Sequence, residues 1–143
     1  MKFFKSCLNL TLLSLLTCTG LAAPVLATTD FDNSVRDADD EGILNSPGVR
    51  TIKGDVTATD DLQDFRQVTL TGRANLRITG NSAGRTDLLL LRASGQVIAK
   101  SSGSFSHSFT RNNLEAGKYI VLVRSAQFNA NSVNYQVNLN ARQ

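Results

Sequence analysis

From Val49 onward the chain is a succession of short β-forming runs, each closed by glycine, asparagine or serine, and this pattern most constrains its fold. The runs are Val49–Lys53, Phe65–Thr71, Ala74–Thr79, Asp87–Ala93, Val97–Ser101, Ser104–Thr110, Lys118–Ser125 and Val133–Asn140. Between them stand Gly54-Asp55, Gly72, Gly80-Asn81-Ser82-Ala83-Gly84, Ser94-Gly95, Ser102-Gly103, Asn112-Asn113 and Asn129-Ala130-Asn131-Ser132. Strands of five to eight residues at this spacing, with no helical period after the N-terminal apolar segment, predict an all-β sandwich or barrel of about eight strands.

Side-chain alternation assigns faces. Leu76 and Ile78 share one face of their strand, with Asn75, Arg77 and Thr79 on the other. In the last run Val133, Tyr135, Val137 and Leu139 alternate with Asn134, Gln136, Asn138 and Asn140. Two runs break the rule: Leu88-Leu89-Leu90-Leu91 and Tyr119-Ile120-Val121-Leu122-Val123. Strands apolar on both sides must be covered on both sides. The cover is expected from the N-terminal segment, an end of the chain or a partner, self-coverage being favoured because monomers rarely leave large apolar patches bare.

The chain opens with Met1-Lys2-Phe3-Phe4-Lys5, an apolar run from Leu8 to Leu16, and small residues ending in Val25-Leu26-Ala27. This is the plan of a secretory signal peptide over residues 1–27, cut after Ala27 or, as the second choice, after Ala22. The run is shorter than the roughly 20 apolar residues of a membrane span. Both cysteines, Cys7 and Cys18, fall inside this segment, so the mature chain is expected to have no thiol, disulfide or cysteine metal site. Cys18 as a lipid-bearing residue is the rival reading, and the bulk of Thr17 before it argues against that. The expected location is therefore periplasmic or secreted, with no stable membrane anchor after cleavage.

Without Lys2 and Lys5 the chain has 13 basic and 12 acidic residues, a net charge of +1 that selects no partner. Its distribution is uneven. Ten acidic residues lie between Asp30 and Asp64, and only Asp87 and Glu115 follow, among ten basic ones. The acidic front is expected to lie across the basic body and shield it. The functional alternatives are a body that meets an anionic polymer, or a front that collects cations. Residues 28–48, rich in Asp, Asn, Ser and Gly, read as an acidic flexible linker, which leaves residues 49–143 as the β domain.

Several blocks resemble one bacterial family, the pre-peptidase C-terminal domain. Asp87-Leu88-Leu89-Leu90-Leu91 followed by Ser94-Gly95-Gln96-Val97-Ile98-Ala99 is similar to its leucine-rich hairpin. Leu114-Glu115-Ala116-Gly117-Lys118-Tyr119-Ile120-Val121-Leu122-Val123 looks like its Ala-Gly-x-Tyr signature, with Gly117 for the turn and Tyr119 with a buried ring and a hydroxyl at the rim. Asp64-Phe65 resembles the opening strand, and Asn134-Tyr135-Gln136-Val137-Asn138-Leu139 the closing one. The resemblance spans residues 50–140 and implies a jelly-roll-like antiparallel β-sandwich. It also implies an accessory role beside secreted peptidases in secretion, targeting or adhesion, although the β module is expected to stand behind the signal peptide and linker without a catalytic domain before it.

Catalysis is hard to assemble from these residues. His107 is the only histidine and shares a strand face with Phe105 and Phe109, which suits a core or rim position better than a general base. No Gly-x-Ser-x-Gly turn presents a nucleophile. The candidate metal residues are Asp37, Asp39, Asp40 and Glu41, in a stretch that begins like a calcium loop, and the cluster Asp60, Asp61 and Asp64. The loop match is half a motif, because its twelfth place holds Gly48 instead of a bidentate Glu. A solvated acidic segment is the simpler reading. Nucleic-acid binding lacks exposed stacking aromatics, and aromatic sugar platforms would have only Phe31 and Phe128 in loops. The chain is thus expected to be a non-catalytic exported binding or adhesion module whose partner is an extracellular polymer or a secreted peptidase. A secretion or maturation helper of a separately encoded peptidase is the first alternative, and a hydrolase the least supported.

Overall fold

The computed structural model describes residues 33–127 and 132–143. The expected signal peptide at 1–27, both expected loop phenylalanines Phe31 and Phe128, and most of the expected turn at 129–132 lie outside them. Among the described residues there are seven strands: β1 (Asp39–Leu44), β2 (Gly48–Val56), β3 (Gln63–Leu70), β4 (Ala74–Arg92), β5 (Val97–Leu114), β6 (Gly117–Ser125) and β7 (Val133–Arg142). They form one hydrogen-bonded sheet in the order β1-β3-β6-β4-β7-β2, with β5 also on β4. Contacts between β2 and both β1 and β3 bring the ends of this order together, so the sheet curls most of the way into a barrel.

The expected all-β class stands, but strand count and pairing differ from the antiparallel eight. Ala74–Thr79 and Asp87–Ala93 belong to one strand, β4, and Val97–Ser101 and Ser104–Thr110 to another, β5. Turn residues permit a reversal without requiring it. Here Asn81 and Ser82 stay in ladder with Gln136 and Tyr135 of β7, and the stretch becomes a bulge in β4. Gly103, expected in a turn, takes φ 62° within β5 and gives its N–H to Asp87 Oδ1 at 2.8 Å. Ser94-Gly95 does reverse the chain, with Gly95 N–H on Arg92 O and Arg92 N–H on Gln96 O, both 2.9 Å.

The second difference is β1. Its residues were expected to be linker, yet they pair parallel with β3, making one parallel pair in an otherwise antiparallel set. Local composition argued against order, and tertiary contacts override it: Leu44 is buried in the core, and Arg50 Nη2 donates to Ile43 O at 3.0 Å.

β4 is divided between neighbours. Residues 75–82 pair with β7, and residues 86–92 pair with β6. The first half alternates buried and solvent-facing residues, while Asp87 to Leu91 is buried throughout. Leu76, Ile78, Leu88, Leu90, Val121 and Leu139 lie in the main core, each stabilising the fold by roughly 1.5–3 kcal/mol on area grounds. Leu89, Leu91, Ile120 and Leu122 point the other way and form a second cluster with Phe65, against which Val35 and Ala38 pack. The two doubly apolar runs are therefore covered on both faces, and the segment before β1 supplies part of the outer cover.

Candidate functional site

The acidic residues converge on an arginine. Asp64 on β3 is 0 % exposed, and its Oδ1 accepts from Arg66 Nε at 2.5 Å. Arg66 Nη1 reaches Asp39 Oδ2 at 3.0 Å and Glu41 Oε1 at 3.6 Å, which is where the acidic front meets the basic body. Burial opposes the guanidinium charge, but the hydrogen bond and charge of Asp64 outweigh it and raise the Arg66 pKa. The Tyr135 hydroxyl donates to Asp64 Oδ2, and burial together with the Asp64 charge pushes its pKa far above the usual phenol value. It therefore remains a donor at any physiological pH. The other expected metal residues lie apart. Asp37 accepts from Ser34 Oγ, Asp40 from Gly42 N–H, and Asp60 and Asp61 give their N–H groups to Thr57 Oγ1 in a turn. Among the described residues no three acidic, histidine or cysteine side chains converge as a metal would require.

His107, on β5 opposite Gly80 of β4, is 4 % exposed. Its Nε2 meets Thr86 Oγ1 at 2.9 Å and its Nδ1 meets Ser101 Oγ at 2.8 Å, while Ser82 Oγ lies 3.0 Å from Thr86 Oγ1. Both ring nitrogens are satisfied by hydroxyls. Burial lowers the pKa of the ring, with Asp87 and the Ser104 backbone only partly opposing, so the neutral form is favoured. A buried, fully bonded imidazole holds the bulged strand together and has no open side for substrate. Nearby, burial alone would raise Asp87, but Arg124, the Gly103 N–H and Lys100 hold its carboxyl below the usual range. That ion pair lines a cleft of about 530 Å³ with Leu62, Ser125 and Gln127.

A continuous polar surface forms on the outer face of β2, β7, the first half of β4 and the second half of β5. Pairing across the four strands produces rows: Lys53, Gln136, Asn81, Ser106; then Thr51, Asn138, Thr79, Ser108; then Val49, Asn140, Arg77, Thr110. Amides and hydroxyls dominate, and strand geometry spaces the rows by about 6.7 Å. Thr51 Oγ1 donates to Asn138 Oδ1 at 2.7 Å, but Lys53, Arg77, Asn81 and Gln136 make no side-chain hydrogen bond or ion pair among the described residues. Two shallow depressions mark the face, one of about 270 Å³ over Arg77, Thr79, Asn138 and Asn140, the other of about 340 Å³ over Lys53, Asn81 and Gln136. The residues were visible in the sequence as the polar halves of alternating strands. Their assembly into one array depends on β4 lying between β7 and β5, which no local pattern announces.

The only histidine of this all-β fold is thus buried, and the acidic cluster encloses an arginine. No family model matches the chain. No curated protein matches it either. Among solved structures, the fold is similar to the pre-peptidase C-terminal domain of collagenase from Bacillus anthracis, with TM-score 0.53 and 17 % identity over 73 % of this chain and 94 % of that one. The periplasmic inhibitor of g-type lysozyme PliG from Aeromonas hydrophila superposes with TM-score 0.46 and 16 % identity over 72 % and 99 % of the two chains. The Yersinia pseudotuberculosis-derived mitogen does so with TM-score 0.46 and 14 % identity over 68 % and 88 %. The first of these similarities is one of fold.

Proposed function

We propose that the chain is exported by its signal peptide at 1–27 and works outside the cytoplasm as a non-catalytic binding module of the pre-peptidase C-terminal kind, its curled sheet a variant of that family's jelly roll. The ligand is an extended, hydroxyl-rich polymer with some negative charge. The observation that carries this is the outer polar face: Asn, Gln, Ser and Thr each offer or accept hydrogen bonds as sugar hydroxyls do, and Lys53 and Arg77 add unpaired positive charge. The strands hold these groups rigidly, which lowers the ordering cost of binding.

Affinity electrophoresis through gels containing an acidic polysaccharide (alginate), a neutral one (dextran) or a polypeptide (gelatin) tests the reading. Alginate should retard the protein most, and Arg77→Ala with Asn138→Ala should weaken that retention about tenfold or more while the melting midpoint holds. Migration unchanged by all three polymers would end this proposal. Retention by gelatin alone would favour an adhesive role toward protein.

A further inference from the structure

β5 is an 18-residue strand paired on one side only, to β4, and no strand among the described residues occupies its other edge. Sheet edges are normally blunted by proline, lysine, a bulge or a cover, because an open row of N–H and C=O groups invites another strand. From Ser104 to Thr110 β5 has none of these side chains. β5 bulges at Ser102-Gly103 and Asn112-Asn113, on either side of this stretch, and Ser104 Oγ bonds both the N–H and the C=O of Ser106 within it. Between those bulges the register is broken by β4: Ser106 pairs with Asn81 and Ser104 with Thr86, so residues 82–85 bulge opposite Phe105 alone. Phe105 thus lacks a cross-strand neighbour and is 56 % exposed, whereas His107 on the same strand face is buried and Phe109 half-buried.

The stretch Ser104-Phe105-Ser106-His107-Ser108-Phe109-Thr110 is a chemical palindrome centred on His107. A two-fold interface requires one surface to complement itself. We infer that two copies pair antiparallel through the free edge of β5, with His107 at the two-fold. Phe105 then lies against the second copy's Phe109, Ser106 against its Ser108, and Ser104 against its Thr110. Aromatic and hydroxyl pairs of this kind favour pairing, and no like charges face each other. The exposed Phe105 ring gains the cover that β4 does not provide. One strand pair buries less than the roughly 1,200–2,000 Å² of a standard interface, so the dimer is concentration-dependent. It also joins the polar faces of both copies into one platform.

Sedimentation velocity on the purified protein from about 1 to 1,000 μM, the range of weak specific complexes, should show a monomer passing to a dimer. A monomer at every concentration overturns the inference. Ser106→Glu with Ser108→Lys sets opposite charges face to face in this register and should preserve the dimer. Ser106→Lys with Ser108→Lys sets like charges together and should weaken it at least tenfold. Equal association of the two variants refutes the edge and its register. Hydrogen exchange on the unmodified protein is an independent readout: amides 104–110 should gain protection at high concentration, and unchanged protection there also overturns the pairing.

Discussion

Gly54 shows how one residue without a side chain can hold a network in place. It stands across from Tyr135 in the β2–β7 ladder, and a Cβ there would lie 2.6 Å from both Asp64 Oδ2 and the Tyr135 hydroxyl. Gly54→Ala should therefore cost about 2–4 kcal/mol in urea unfolding, mostly by parting the buried tyrosine from its carboxylate. Tyr135→Phe keeps the ring and should cost less, about 1–3 kcal/mol. If the two variants rank the other way, the glycine is not there for close approach. Gly117 is required for a different reason: its φ is 146°, with nothing near a built Cβ, so conformation and not space selects glycine. The Tyr119 ring is buried and its hydroxyl donates to Glu115 O at 2.9 Å, the rim contact its sequence block suggested. Such local features were legible. Asp64 and Tyr135 were each legible as members of strand blocks, but their contact spans 71 residues and no spacing foretells it.

Among the elements, the segment before β1 departs most from expectation. Asp37 closes a turn on Ser34, with N–H to Ser34 O at 3.2 Å, and this aims Val35 and Ala38 at the outer leucine cluster. Val35→Asp should lower stability by about 1–3 kcal/mol and increase binding of an apolar dye, because it sets a charge against Leu89, Leu91 and Ile120. Unchanged dye binding would show that Val35 is not a working part of the cover. The need for a cover was readable from two strands apolar on both faces. Its source was not, since a segment with so few apolar residues orders only when a completed sheet presents the surface it packs on.

For the whole molecule, pH should act through His107 before it acts through the carboxylates. Burial keeps the folded pKa of His107 below its unfolded value of 6.5. The unfolded chain then binds the extra proton, so the contribution is fully present above pH 6.5 and is lost as pH falls through that value. Melting between pH 8 and 5 should show this loss in the native protein and a flatter profile in His107→Gln, and parallel profiles would exclude the histidine as its source. Asp87, held low chiefly by Arg124, should begin to lose its contribution as pH falls through the ordinary carboxylate value of 3.8 and lose the rest on the way down to its lower folded pKa. By itself the sequence determined that the chain is all-β and which strand faces are apolar, because side-chain period and short-range composition are local properties. Only the tertiary structure decided that β4 and β5 each run through an expected turn, that an acidic segment becomes a parallel strand, and that the acidic cluster closes on Arg66. These outcomes depend on pairings between distant segments, where ladder hydrogen bonds and burial outweigh the local preference of any one residue.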